Sequence, residues 1–280
     1  MRKTIVKILA IVLCAIAVII GCGFGITYAV LSAGAKNLPE DYSIGKNVKF
    51  IAHRGLSGEY YENSEQAFRA AADSDFFYGI ETDIYFTADG VAVCAHDDDA
   101  FTDAAVTITQ SRYSDIAKLP LKENSYGFTG TEICTMDTYL SICAESGKAA
   151  VIELKQEDMT DEEIKFIIDS AREYCGDNFV LICFDKDAIE VAESYDNGIV
   201  TQHLSNNGFL GLLSVWDGYN ISLTHGKMSK TLVREAHKHG REVGVWTVNE
   251  YDLVEKYADM GVDYITTNFD YGSRWNESHR

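Results

Sequence analysis

The chain has 280 residues, more than most single cores hold, yet an α/β barrel with an added segment accommodates nearly all of that length as one domain. It carries 43 acidic residues against 24 basic ones, a formal net charge of −19. A surface that acidic argues against nucleic acid and against anionic lipid as main partners. It leaves an anionic substrate admissible, because a metal ion and two well-placed cations invert the field locally.

Arg2, Lys3 and Lys7 precede an uncharged apolar run from Ile8 to Leu31, long enough to cross a bilayer. That flank places the amino terminus in the cytoplasm and the rest of the chain outside the cell membrane. Two cleavable readings compete with this single-pass anchor. Ala33-Gly34-Ala35 has the small residues of a signal cleavage site, and Ile19-Ile20-Gly21-Cys22 has the form of a bacterial lipoprotein acceptor box. The run exceeds a usual signal-peptide core and stays apolar for nine residues beyond Cys22, which suits a spanning helix better. All three readings export the catalytic domain. The expected organisation is an anchor over 1–35, a polar linker over 36–47, a barrel domain over 48–272 with an insertion at 97–135, and a tail over 273–280.

Beyond the linker, strand-like runs fall at Val48–Ala52, Gly79–Tyr85, Ala149–Leu154, Phe179–Cys183, Ile199–Gln202, Tyr219–Leu223, Glu242–Val248 and Asp263–Thr266. Helical patterns separate most of them: Ser64–Ala72, Met136–Ser146, Asp161–Tyr174, Asp187–Ser194, Ser229–His239 and Glu250–Met260. Thr160 with Glu163 spells a capping box, and Gly240 succeeds a helix whose end carries His237 and His239 as dipole-compensating cations. Eight strands alternating mainly with helices predict a (β/α)₈ TIM barrel. The rival, an open doubly wound sheet, wants a glycine-rich or Walker-type phosphate loop that does not occur here. Residues 97–135 break the alternation and read as an irregular insertion on the catalytic rim. None of the five cysteines beyond the anchor shows Cys-x-x-Cys spacing, and Cys94 and Cys183 interrupt apolar runs as small buried hydrophobes.

The stretch Gly79–Asp99 carries most of the chemistry. Glu81, Asp83 and Tyr85 alternate with Ile80, Thr82 and Ile84, so one strand has a carboxylate face and a mostly apolar one. Asp89-Gly90 suits a tight turn, and the returning strand ends on His96. The first strand ends in His53-Arg54-Gly55, and the strand over 149–154 presents Glu153 with Lys155 on one face. Barrel enzymes gather their active-site residues at the carboxyl ends of strands. Three carboxylates converging there are costly unless paired or bound to metal, and they would make a hard all-oxygen site for Ca²⁺ or Mg²⁺. Arg54 offers a fork matched to phosphate oxygens, Lys155 a second cation, and the two histidines a proton donor and acceptor near neutral pH. Each part alone suits a solvated strand edge or an ordinary ion pair. Together they describe phosphodiester cleavage. Gln202, His203, His225, Phe184 and Phe269 lie near strand ends, where pocket-facing and packing roles are both open.

The same motifs resemble the glycerophosphodiester phosphodiesterase family. The likeness runs from His53-Arg54-Gly55 through Glu62-Asn63-Ser64, GIETDIYFTADGVAVCAHDD, ICTMDTYL, VIELK and the closing VWTVNEYDLVEKYADMGVDYITTNFD. Tyr61, Ser64 and Cys134 stand where the family commonly has proline, threonine and proline, and none of these departures removes a catalytic group. The resemblance implies a TIM barrel with an insertion after the second strand. It implies that His53 and His96 are the acid–base pair and that Glu81, Asp83 and Glu153 hold a divalent cation. Arg54 and Lys155 would bind phosphate, and Trp246 would line the substrate pocket. The activity implied is hydrolysis of glycerophosphodiesters to sn-glycerol 3-phosphate and an alcohol. Two alternatives stand beside it: a lysophospholipase D or related phospholipase on the same barrel, and an anchored binding protein without turnover. The first would be favoured by an apolar pocket under the insertion.

Overall fold

In the computed structural model, which describes residues 48–130 and 132–279, eight parallel strands close on themselves. In chain order these are β1 (Lys49–Ala52), β2 (Gly79–Phe86), β5 (Ala149–Leu154), β6 (Phe179–Cys183), β7 (Val200–Ser205), β8 (Ile221–Thr224), β9 (Val243–Trp246) and β10 (Tyr264–Thr267). Two short strands, β3 (Ala92–Cys94) and β4 (Cys134–Thr135), extend the sheet from β2 in antiparallel fashion. Closure comes from β1, which pairs with β10 on one side and β2 on the other. The expected TIM-type barrel is therefore present. The expected anchor and linker, 1–47, lie outside the described residues, among which no helix is long and apolar enough to cross a membrane.

Helices cover the outside: α1 (Glu65–Ala72), α3 (Met136–Ser146), α4 (Asp161–Cys175), α5 (Lys186–Tyr195), α6 (Gly208–Asp217), α7 (Lys230–Lys238) and α8 (Tyr251–Met260). The start of α4 is the capping box expected there, with Thr160 and Glu163 bonding each other's backbone N–H. The α6 helix is absent from the expected elements, because its sequence GFLGLLSVWD is apolar nearly all round and shows no amphipathic stripe. Asn207 starts it by accepting from the Phe209 and Leu210 N–H groups. The segment 273–280 begins inside a short helix, α9 (Gly272–Ser278), whose Trp275 meets Phe50 edge-on at 4.8 Å between ring centroids.

The hairpin that places His96 forms as its residues dictate. Thr87 and Val91 are joined across the turn by a backbone bond of 3.0 Å, and Gly90 takes a φ of +80° that a side chain would strain. The insertion is less irregular than its composition suggests. It contains a one-turn helix, α2 (Tyr113–Ile116), and buries Phe101, Ile108, Ile116, Leu121 and Ile133 against Val93 and Ala95 of the hairpin. Those apolar residues are scattered without a period, so they reveal a core only when folded. Cys94 and Cys183 are buried thiols, as expected.

Candidate active site

Both β2 and β5 alternate a packing residue with an inward one. Ile80, Ile84, Ile152 and Leu154 are buried on the outward face, and Tyr139 of α3 donates its hydroxyl to the Ile80 carbonyl at 2.7 Å. The opposite phase turns Glu81, Asp83 and Glu153 into the barrel, where all three are buried. Asp83 and Glu153 are direct register partners. Ligand oxygens of the three residues lie within 4.8 Å of one another.

The surroundings treat these carboxyls differently. Burial pushes Glu81 well above the usual carboxylate range, and the neighbouring Asp83 and Glu153 charges push the same way. Burial and Asp83 raise Glu153 to about 7, although Lys155 pulls against them. Asp83 also suffers burial, but Arg54 first, then His96, Lys155 and an Asn63 hydrogen bond, bring it below its ordinary value. The contacts explain this. Arg54 Nε lies 3.3 Å from Asp83 Oδ2, and Lys155 Nζ lies 3.0 Å from Glu153 Oε1 and 3.7 Å from Asp83 Oδ1. With all three ionised, the carboxylates outnumber the two cations, and the excess negative charge is matched in sign and donor chemistry to a hard metal ion.

Arg54 is placed by an unusual backbone. Its φ is +55°, and its N–H donates to Glu81 Oε2 at 2.8 Å. Its guanidinium also pairs with Glu62 at 3.1 Å. Asn63, likewise at positive φ (+52°), is buried and donates to Asp83 Oδ2 at 2.9 Å while accepting from Thr82 Oγ1 at 2.8 Å. Asparagine tolerates this left-handed conformation better than most residues. Asn63 thereby fixes the orientation of the Asp83 carboxylate.

His53 and His96 both line a cavity of about 310 Å³ that also holds Glu81, Glu153, Arg54 and Lys155. Their partners differ. His53 Nδ1 is 2.7 Å from Asn268 Oδ1, an assignment that rests on the Asn268 amide donating its Nδ2 to Tyr126 Oη at 2.8 Å. Nδ1 then carries the hydrogen and Nε2 is the free acceptor. Burial, reinforced by Arg54, pushes His53 down to about 3, so the ring is neutral at ordinary pH. His96 Nδ1 instead meets a carboxylate, Asp97 Oδ1, at 3.0 Å. Trp246 lines the same cavity and packs edge-on against Phe184, with centroids 5.8 Å apart.

All eight residues singled out in the sequence therefore sit around one connected region. The contributions of Asn63, Asn268 and Tyr126 are not apparent from spacing. Of the residues left open, Gln202 and Phe184 line the cavity, whereas His203 turns outward to Ser214 of α6 at 2.9 Å. His237 Nε2 pairs with Asp263 at 2.8 Å, consistent with a helix-end cation.

Carboxylates and cations interleaved at the carboxyl ends of barrel strands define a class of enzyme that works on anionic oxygen esters. Comparison with known proteins narrows the class to a family. The chain belongs to the glycerophosphoryl diester phosphodiesterase family, whose profile matches residues 53–270, and it is a phosphoric diester hydrolase. Among curated relatives, glycerophosphodiester phosphodiesterase 1 of Bos taurus is 26% identical over 259 residues, covering 78% of this chain and 77% of its own length. The glycerophosphodiester phosphodiesterase of Caldanaerobacter subterraneus is 26% identical over 233 residues, covering 78% of this chain and 93% of its own. Among solved structures, a glycerophosphodiester phosphodiesterase from Parabacteroides distasonis superposes with a TM-score of 0.67 at 26% identity, over 79% of this chain and 93% of that one. An Oleispira antarctica phosphodiesterase in complex with the product sn-glycerol-3-phosphate shares the fold, with a TM-score of 0.68 at 19% identity over the same shares.

Proposed function

We propose that this chain is a metal-dependent, membrane-anchored and exported enzyme that hydrolyses glycerophosphodiesters to sn-glycerol 3-phosphate and an alcohol. The observation that carries the reading is the buried triad Glu81, Asp83 and Glu153, of which Glu81 and Glu153 line the same cavity as two histidines with contrasting partners. Those three carboxylates would hold a Ca²⁺ or Mg²⁺ ion, whose charge would offset that of the phosphate and the negative charge that grows on it. Arg54 and Lys155, already on the cavity wall, bind phosphate oxygens. Trp246 lines the substrate pocket.

His53 is the general base. Its neutral ring, hydrogen-bonded through Nδ1 to an amide oxygen, leaves Nε2 to accept the proton of the entering oxygen, whether water or the neighbouring glycerol hydroxyl. His96 is the general acid. Its Nδ1–H donates to the Asp97 carboxylate, which leaves Nε2 to carry the proton that is given up. As the bond from phosphorus to the leaving oxygen breaks, His96 transfers that proton to the alkoxide.

A second cavity of about 290 Å³ shares Arg54 and His96 and runs beneath the insertion, where Asp97, Asp99, Lys122 and Glu123 line it. Tyr61, Ala95, Ala100, Leu121 and Ile133 complete a mixed wall, and the charges set among them disfavour an acyl chain, which supports a polar leaving alcohol over a lysolipid. Turnover of glycerophosphocholine and a lysolipid by the full chain in detergent tests the whole reading. EDTA should abolish hydrolysis, Ca²⁺ or Mg²⁺ should restore it, and glycerophosphocholine should be the better substrate. Full activity in chelated protein shown by metal analysis to be metal-free would end the proposal.

A further inference from the structure

The cavity continues past the reacting groups to the far side of the barrel. Strand order around the ring is β1, β2, β5, β6, β7, β8, β9, β10, so β7 to β9 face the carboxylates of β2 and β5 across the mouth. On that far wall stand Gln202 of β7, Ser222 of β8 and Trp246 of β9. Gln202 and Ser222 are each only 4% exposed, neither side chain hydrogen-bonds another described residue, and their polar atoms are not among those sealed from the cavity. Trp246 Nε1, by contrast, is buried without a partner. The Gln202 amide and the Ser222 hydroxyl, with no partner among the described residues, are thus left to bond whatever occupies the cavity they line.

Gly244 on β9, the register partner of Ser222, leaves room for both side chains against the β9 backbone. A methyl group built there would come within 3.0 Å of Gln202 Oε1 and closer still to Ser222 Oγ. Between this wall and the carboxylates, the surface is apolar, formed by Val151, Val180, Ile182 and Leu204. None of the β7 to β9 groups on the cavity is ionised. An amide and a hydroxyl set among methyl groups and an indole ring suit a short neutral carbon chain bearing hydroxyls. They do not suit a charged head group.

Resting on the proposed activity, we infer that Gln202 and Ser222 are substrate-binding, specificity-determining residues that hydrogen-bond the terminal glycerol hydroxyl. The substrate then lies across the barrel mouth in one orientation. Its glycerol end reaches the β7 to β9 wall, its phosphorus sits between the histidines, and its leaving alcohol enters the charged cavity beside His96. This fits the cavity arrangement, since His96 is shared by both cavities whereas Gln202 lines only the first.

The test uses the full chain and two substrates, glycerophosphocholine and its analogue lacking only the terminal glycerol hydroxyl, with the neighbouring hydroxyl kept. A site built to bond a hydroxyl rejects the analogue strongly, so wild-type kcat/KM should favour glycerophosphocholine by at least about 10²-fold. Gln202→Leu should lose roughly 10-fold or more on glycerophosphocholine and little on the analogue, collapsing that preference; Ser222→Ala should shift it in the same direction. Gln202→Leu should melt no lower than wild type, because it replaces an unpaired buried amide with an apolar group of similar size. An unchanged preference, or equal losses on both substrates, would overturn the assignment and identify the wall as merely water-filled. Absence of turnover on either substrate by the wild-type chain would instead overturn the activity itself, and this inference with it.

Discussion

Glu153→Gln isolates the cost of assembling the carboxylate cluster. Without metal, burial and the Asp83 charge hold Glu153 at about 7 against an ordinary value of 4.5. At about 1.36 kcal/mol per unit, keeping it ionised in the folded chain costs roughly 3 kcal/mol at pH 8. Proton counting gives the sign. A carboxyl whose folded pKa is raised binds more protons in the folded state than in the unfolded state between about pH 4.5 and 7, so metal-free stability falls as pH rises through that window. Glutamine keeps an oxygen for Lys155 Nζ, which is 3.0 Å from Glu153 Oε1, but never ionises. In EDTA at pH 8 the variant should therefore melt roughly 6–12 °C above wild type, at about 2–4 °C per kcal/mol for a domain of this size, and the gap should close towards about pH 4.5. With saturating Ca²⁺ the wild type should gain stability and the variant much less. Thermal melts at two pH values, with and without the cation, provide the measurement. A variant less stable than wild type in EDTA at pH 8 would refute the idea that these carboxylates are held together against their own repulsion.

Separating the two histidines needs a change of leaving group. His53→Ala and His96→Ala should each lose roughly 10²–10⁴-fold in turnover of glycerophosphocholine, but on a p-nitrophenyl ester, whose phenolate departs without a proton, His96→Ala should recover most of its loss while His53→Ala does not; equal losses on both substrates would exclude divided roles. For the amino-terminal segment, an uncleaved anchor predicts mature protein that retains Met1, sediments with membranes and yields a soluble active fragment to external protease; a mature amino terminus at lipid-modified Cys22 or near Lys36 would show that the segment is removed.

What the sequence makes legible is whatever depends on local period. Alternation along β2 assigns Glu81 and Asp83 to one face and Ile80 and Ile84 to the other, and the structure buries both sets accordingly. The same holds for Glu153, and Asp89-Gly90 announces the turn that delivers His96. The strands themselves appear within a few residues of their expected bounds because burial on both sides makes each a short apolar run. The hidden parts depend on partners distant in the chain. Asn268 reaches His53 across 215 positions, and Tyr126 of the insertion reaches Asn268 across 142. An asparagine's spacing says nothing about which group its amide will meet.

Gln202 shows the difference most clearly. Its place in a strand makes it inward or outward with equal ease, and even the inward choice leaves open a bonded packing role. Only the folded barrel shows that Asp83, Glu153, Ile182 and Gln202 succeed one another as register partners on adjacent strands, with no hydrogen-bond partner for the last among the described residues. The chemistry at one end of that row is declared by charge, because ionised residues in a strand cannot be buried cheaply and so point to a site. At the other end a neutral amide carries no such signal. Specificity built from neutral groups is therefore less visible in a sequence than catalysis built from charged ones, and it emerges from which polar groups a fold leaves unpaired beside a cavity.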